Sequence, residues 1–213
     1  MMSGTEAQSW ISFLTSYNSS SLVIDTLCDT ARGTGEDIAV AYFYFDSSIQ
    51  KEQSAASVLG ALLKQVVCGL TQMPETIADS FRRHKKFFGG RKLQLPEMVK
   101  ILGSLSSSQR TLFCLDAVDE CAAPDRAKIL LSLKEIIEAS PASRVFLTGR
   151  PHVGGEVGKR LLGGAALISI SPPAGDIVRF IYRKLAEDTA LDEMDERLEA
   201  EIVEKIPETF SDM

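Results

Sequence analysis

The stretch that most restricts what this chain can become is Thr111–Cys121, where Leu112–Leu115 runs unbroken into Asp116, with Asp119 and Glu120 close behind. A short apolar run, set off from the polar segment Ser106–Arg110, predicts a strand buried on both faces of a parallel sheet. Parallel α/β sheets bind ligands outside the carboxyl ends of their strands, and that is where these acids fall. Three carboxylates within five residues repel one another unless something cationic sits between them. One reading is a Mg²⁺-nucleotide site of Walker B type, with Asp116 on the metal side and Asp119 and Glu120 placed to orient a water. The other is a solvated acidic turn after a buried strand.

At 213 residues, 45% hydrophobic and 24% charged, the chain can bury a sizeable core. No apolar run approaches the roughly 20 residues that span a bilayer, and the start lacks the pattern of a secretory signal. Cys28, Cys68, Cys114 and Cys121 are widely spaced and form no CxxC pair. They indicate neither a zinc site nor a disulfide framework, so a reduced, cytoplasmic protein without a membrane anchor is expected. Cys114, inside the central strand, reads as a small hydrophobe. The net charge of −6 argues against bulk nucleic-acid binding. A basic cluster at 82–92 could face phosphates but is unaccompanied by a groove-reading helix, and a nucleic-acid role is not expected. Residues 187–208 hold ten acids against Arg197 and Lys205.

Along the chain, strand and helix signals alternate. Leu22–Cys28 reads as a helix body behind serine caps, stopping near Gly33. Val40–Phe45 is an aromatic strand ending at Asp46. Ser54–Val67 sets Val58, Leu59, Leu62, Leu63, Val66 and Val67 at helical spacing. Helices are expected over Glu75–Lys86 and over Leu95–Leu105, the latter opened by Pro96. Pro124 and Asp125 open a helix with Ile129, Leu130, Leu133, Ile136 and Ile137 on one face. Arg144–Leu147 and Ala166–Ile170 are short strands, Asp176 caps a helix over Ile177–Ala186, and Leu191–Ile206 is a last acidic helix. The alternation predicts an α/β fold: a mostly parallel sheet flanked by helices on both faces.

If the strands ending at Asp116 and Leu147 are neighbours, Thr148 and Arg150 leave the sheet at the same edge as the acids. An arginine there can stabilise charge on a γ-phosphoryl group; it can equally pair with Asp119 or Glu120.

Five motifs occur in order: Tyr-Phe-Tyr-Phe-Asp, Gln-Ser-Ala-Ala-Ser-Val-Leu with Leu-Leu-Lys-Gln, Leu-Asp-Ala-Val-Asp-Glu-Cys, Thr-Gly-Arg-Pro and Asp-Ile-Val-Arg-Phe-Ile. Together they resemble the NACHT domains of fungal STAND-type signalling proteins, also described as nephrocystin-3-like N-terminal domains and often joined to ankyrin or WD40 repeats. The resemblance covers 20–206. It implies a P-loop NTPase sandwich that binds ATP or GTP with Mg²⁺ and acts in signal transduction, switching between closed and oligomeric states. By that resemblance Asp116 is the Mg²⁺-side acid, Glu120 the water-orienting acid with Asp119 assisting, and Arg150 the sensor near the γ-phosphate; Arg150 and Thr148 are the expected cofactor-binding residues. The family usually has Ser before this arginine; here it is Gly149.

The departure lies upstream. A P-loop needs G-x-x-x-x-G-K-[ST], whose backbone N–H groups and lysine hold the phosphates. The corresponding residues, Thr15–Ser19, contain neither Gly nor Lys. Gly33-Thr34-Gly35 runs into Glu36-Asp37, and Gly158-Lys159-Arg160 falls after the sensor strand, so neither substitutes. Each lost charge-assisted bond is worth roughly 1.5–3 kcal/mol, so nucleotide binding should weaken by several powers of ten. Trp10–Leu14 is the remaining candidate for the strand leading into the loop. The expectation preferred here is that 1–18 is an atypical segment replacing strand and P-loop, 19–188 the NACHT-like core and 189–213 an acidic helix, truncated before any winged-helix or repeat region. The expected function is a degenerate signalling NTPase domain with residual Mg²⁺-nucleotide binding and no efficient hydrolysis. Its alternative is a pseudo-NTPase that interacts with protein partners or with itself without nucleotide.

Overall fold

A computed structural model describes residues 11–14, 20–33, 38–70, 92–161, 165–168, 173–187 and 196–211, with 72, 75, 78, 79 and 82. Contacts divide the chain into two units, Met1–Ser169 and Ile170–Met213.

The first unit is built on five parallel strands: β1 (Ile11–Leu14), β2 (Ile38–Tyr44), β3 (Arg110–Asp116), β4 (Arg144–Thr148) and β5 (Ala165–Ile168), in spatial order β2-β3-β4-β1-β5. Its helices are α1 (Ser20–Gly33), α2 (Ala55–Cys68), α3 (Leu95–Ser108), α4 (Ala123–Ala139) and α5 (Pro151–Leu161). β3 lies between β2 and β4, and its Phe113, Cys114 and Leu115 are wholly buried, as the apolar run predicts. The core joins them to Leu59 and Leu62 of α2, Leu102 and Leu105 of α3 and Ile129, Leu130 and Leu133 of α4. Cys114 behaves as the small hydrophobe expected of it. Burial first, and the neighbouring Cys28 second, push its thiol up to about 12.

Three expectations are corrected. Ile11–Leu14 forms a strand paired with both β4 and β5, so the first strand is present, one place in from the sheet's edge. Four residues carry too little periodicity to announce a strand, and pairing on both sides supplies what the pattern lacks. The second correction is α5, which was not read as a helix at all. Its three glycines weaken the local signal, but Val153, Val157 and Leu161 recur every four residues and bury one face. The third concerns the Asp176 cap. That helix, α6 (Ala174–Glu187), starts directly after Pro173, and Asp176 sits inside its first turn beside Arg179 at 3.0 Å.

Other boundaries move by a few residues. The helix expected over Glu75–Lys86 lies largely outside the described residues. In the second unit α6 packs against α7 (Glu196–Ser211). No described helix is long and apolar enough to cross a membrane.

Candidate functional site

The site begins where β3 and β4 end together. Leu115 pairs with Leu147, which sets Asp116 and Thr148 side by side at the carboxyl edge. β1 reaches the same edge, with Leu14 opposite Thr148. The strands that carry the acids and the arginine are therefore neighbours; the segment 15–19 lies outside the described residues.

Thr148 is 2% exposed and holds the corner together. Its hydroxyl donates to Asp116 Oδ1 and accepts the Ala117 N–H at 2.9 Å. Ala117 adopts φ 55° and ψ 47°, the left-handed region, which costs a non-glycine residue roughly 1–2 kcal/mol. The Thr148 bond and the Glu120 N–H to Ala117 carbonyl bond at 2.9 Å hold it there. The kink throws the chain into a short 3-10 turn, Val118–Glu120, anchored by buried Val118. An alanine in this conformation leaves no mark in the sequence, where glycine would have signalled it.

The three acids then diverge, each toward its own donor. Asp116 turns to Thr148. Asp119, its side chain 5% exposed, accepts the Arg150 N–H at 3.2 Å and lies 3.4 Å from Arg150 Nε, while that arginine remains 59% exposed. Of the two partners the sequence left open for an Arg150 ion pair, the structure selects Asp119. Glu120 Oε2 accepts the Ser47 N–H at 2.9 Å, and the Gln50 amide donates to the Glu120 carbonyl at 2.7 Å. Ser47 and Gln50 belong to a 3-10 turn (Ser47–Glu52) that sequence reading treated as a plain polar connection. Their role depends on β2 ending level with β3, Tyr44 facing Asp116, which no local pattern reveals.

Divergence explains how three acids fit in five residues: each turns to its own donor. Among the described residues no three His, Cys, Asp or Glu side chains converge to hold a metal. Mg²⁺ does not need such a cage: one or two carboxylates suffice when phosphate oxygens and waters complete its shell. Asp116, half-buried with Oδ1 taken by Thr148, fits that requirement through Oδ2. Tyr44 reports the local negative field. Burial raises its hydroxyl above the usual tyrosine value, and the carboxylates of Asp25 on α1 and Asp116 add to the rise.

The corner is braced from outside. Asp125 of α4 accepts the first N–H of α2, at Ala55, at 3.0 Å. Arg126 donates to Glu156 at 2.9 Å and to the Cys121 carbonyl at 2.9 Å, and Arg160 also reaches Glu156, at 3.0 Å. Burial works against the charged form of Glu156, but the two arginines outweigh it and hold its carboxyl below the usual range. Gly158-Lys159-Arg160 is thus ordinary helix within α5.

A parallel five-stranded α/β sheet with acids at the carboxyl edge of a central strand has the architecture of a P-loop NTPase-like sandwich. Solved structures agree on the fold. A Cdc6p from Pyrobaculum aerophilum superposes with a TM-score of 0.52 at 12% identity, over 84% of this chain and 43% of that one. An Aeropyrum pernix Orc1 protein, solved in complex with DNA, gives 0.50 at 14% identity, over 83% and 43%. The chain thus spans less than half the length of either. The description "Nephrocystin 3, N-terminal" matches residues 16–150, more than half of the chain, and the chain belongs to that family. No curated protein matches it.

Proposed function

We propose that this chain is a NACHT-type signalling NTPase domain that binds Mg²⁺-ATP or Mg²⁺-GTP weakly and turns it over inefficiently. The observation that carries the reading is the Asp116–Thr148 corner at the meeting of β3, β4 and the end of β1. Asp116 holds the cation through its unengaged oxygen. Arg150, mostly exposed, leaves Asp119 to meet the γ-phosphate. Glu120 orients water once released from Ser47, with Asp119 assisting. The cation lowers the charge repulsion between phosphates and acids when bound. Thr148 contacts no nucleotide in this reading, because it is buried; it is a positioning residue for Asp116. Residues 15–19, without Gly or Lys, grip the phosphates poorly, so affinity is low.

One observation favours a second reading, a pseudo-NTPase that serves as an interaction module. Asp119 and Glu120 are both occupied by protein donors, so the corner is electrostatically complete without ligand. Calorimetric titration with Mg²⁺-ATP and Mg²⁺-GTP separates the two. Binding in the high-micromolar to millimolar range, lost in Asp116→Asn, supports the first. No heat at millimolar nucleotide overturns it and leaves the second.

A further inference from the structure

Among the described residues β2 is an edge of the sheet. In a parallel ladder alternate residues direct both backbone groups to the neighbour, and the residues between direct theirs away. The Phe45 N–H reaches the Asp116 carbonyl at 3.1 Å, so odd-numbered residues face β3 and even-numbered ones face outward. An outward row of this kind is a template for another strand, and β2 is a hazardous one. Its seven residues, Ile-Ala-Val-Ala-Tyr-Phe-Tyr, are uncharged, aromatic and free of proline and glycine, the composition that self-pairs most readily.

Two glutamines occupy that row. The Gln65 side-chain amide accepts the Tyr42 N–H at 3.0 Å and donates to the Tyr42 carbonyl at 2.8 Å, the two bonds a neighbouring strand would make. Gln53 Oε1 accepts the Asp46 N–H at 3.2 Å, and the Asp46 carbonyl takes the Ile49 N–H at 3.2 Å. Among the described residues Tyr42 and Asp46 are thus filled, and Tyr44 between them is not.

We propose that the β2 edge is a latent pairing surface for the β2 strand of a second copy of this chain, kept shut by the Gln65 amide. A second copy is the occupant because two β2 edges are self-complementary. Antiparallel pairing of the full strand about a two-fold axis at Ala41 meets no charge on either strand and sets the exposed Tyr42 and Tyr44, edge-to-face at 5.7 Å, opposite Val40 and Ile38 of the second copy, aromatic against β-branched.

Sedimentation velocity over a wide concentration range tests this with three proteins. Gln65→Leu, which keeps bulk and loses both bonds, should associate at concentrations at least about tenfold lower than the wild type. Adding Tyr42→Pro should return it to wild-type behaviour. Proline cannot donate an N–H and is tolerated on an edge where that N–H points outward. Gln65→Leu sedimenting like the wild type overturns the proposal, as does association that persists with Tyr42→Pro. Should either variant fail to fold, amide exchange in the wild type decides. The Tyr42 N–H should exchange about ten times more slowly than the Tyr44 N–H, and equal rates overturn the idea.

Discussion

At the carboxyl ends of β3 and β4, Asp116, Ala117, Asp119 and Thr148 each meet a partner across the strand boundary. At the amino ends of the same strands, the side-chain oxygens of Ser106 and Ser143 and both amide atoms of Gln109 are buried with no partner among the described residues. Two bonds do cross there, from the Ser140 hydroxyl to the Ser106 carbonyl and from the Ser107 hydroxyl to the Ala139 carbonyl. Burial without pairing costs roughly 1–3 kcal/mol per group. The fold therefore tolerates loose polarity at one pole and binds it tightly at the other. Tight pairing fixes the position of a side chain, which matters where Asp116 must present one free oxygen and not where Gln109 merely fills space.

The largest test of that contrast is Thr148→Val, which keeps the shape and removes the hydroxyl. It strands the Ala117 N–H in its left-handed conformation and takes a donor from Asp116, for an expected loss of about 3 kcal/mol in urea unfolding. A loss below about 1 kcal/mol would erase the difference between the poles. Gln109→Leu should do the opposite, raising stability by about 1 kcal/mol by removing a buried unpaired amide. Destabilisation of that size would show that the amide has a partner, such as a bound water.

A pH series adds a third test. Glu156 has a folded pKa below its unfolded value, so its stabilising effect is complete above the unfolded value of 4.5 and is lost as pH falls through the folded one. Wild-type stability should accordingly fall more steeply below pH 4.5 than that of Glu156→Gln. Parallel curves would mean that Arg126 and Arg160 do not hold the carboxylate. The smallest effect is expected from Arg150→Ala. Its guanidinium is largely solvated, so its loss costs stability under about 1 kcal/mol, while nucleotide affinity should fall.

The sheet's centre was legible because Leu112–Leu115 has one physical solution, and α2 and α4 because their apolar faces repeat at helical spacing. The acids, Thr148 and Arg150 were legible as a group through their places at strand ends. Their divergence was not. It follows from the Ala117 kink and from which residue of β2 or β4 stands opposite, and register is a property of the folded sheet. β1 was visible only as the candidate Trp10–Leu14, too short to be preferred, and α5 was hidden by glycines that packing overrides.

The account stands on β3 and β4 jointly forming one cation–nucleotide corner. Mn²⁺, a paramagnetic stand-in for Mg²⁺, tests it when titrated with ATP into isotopically labelled protein. The amide signals of Ala117, Glu120 and Arg150 should broaden together and recover when Mg²⁺ is added in excess. Broadening confined to the acidic helix α7, or spread without pattern, would contradict it.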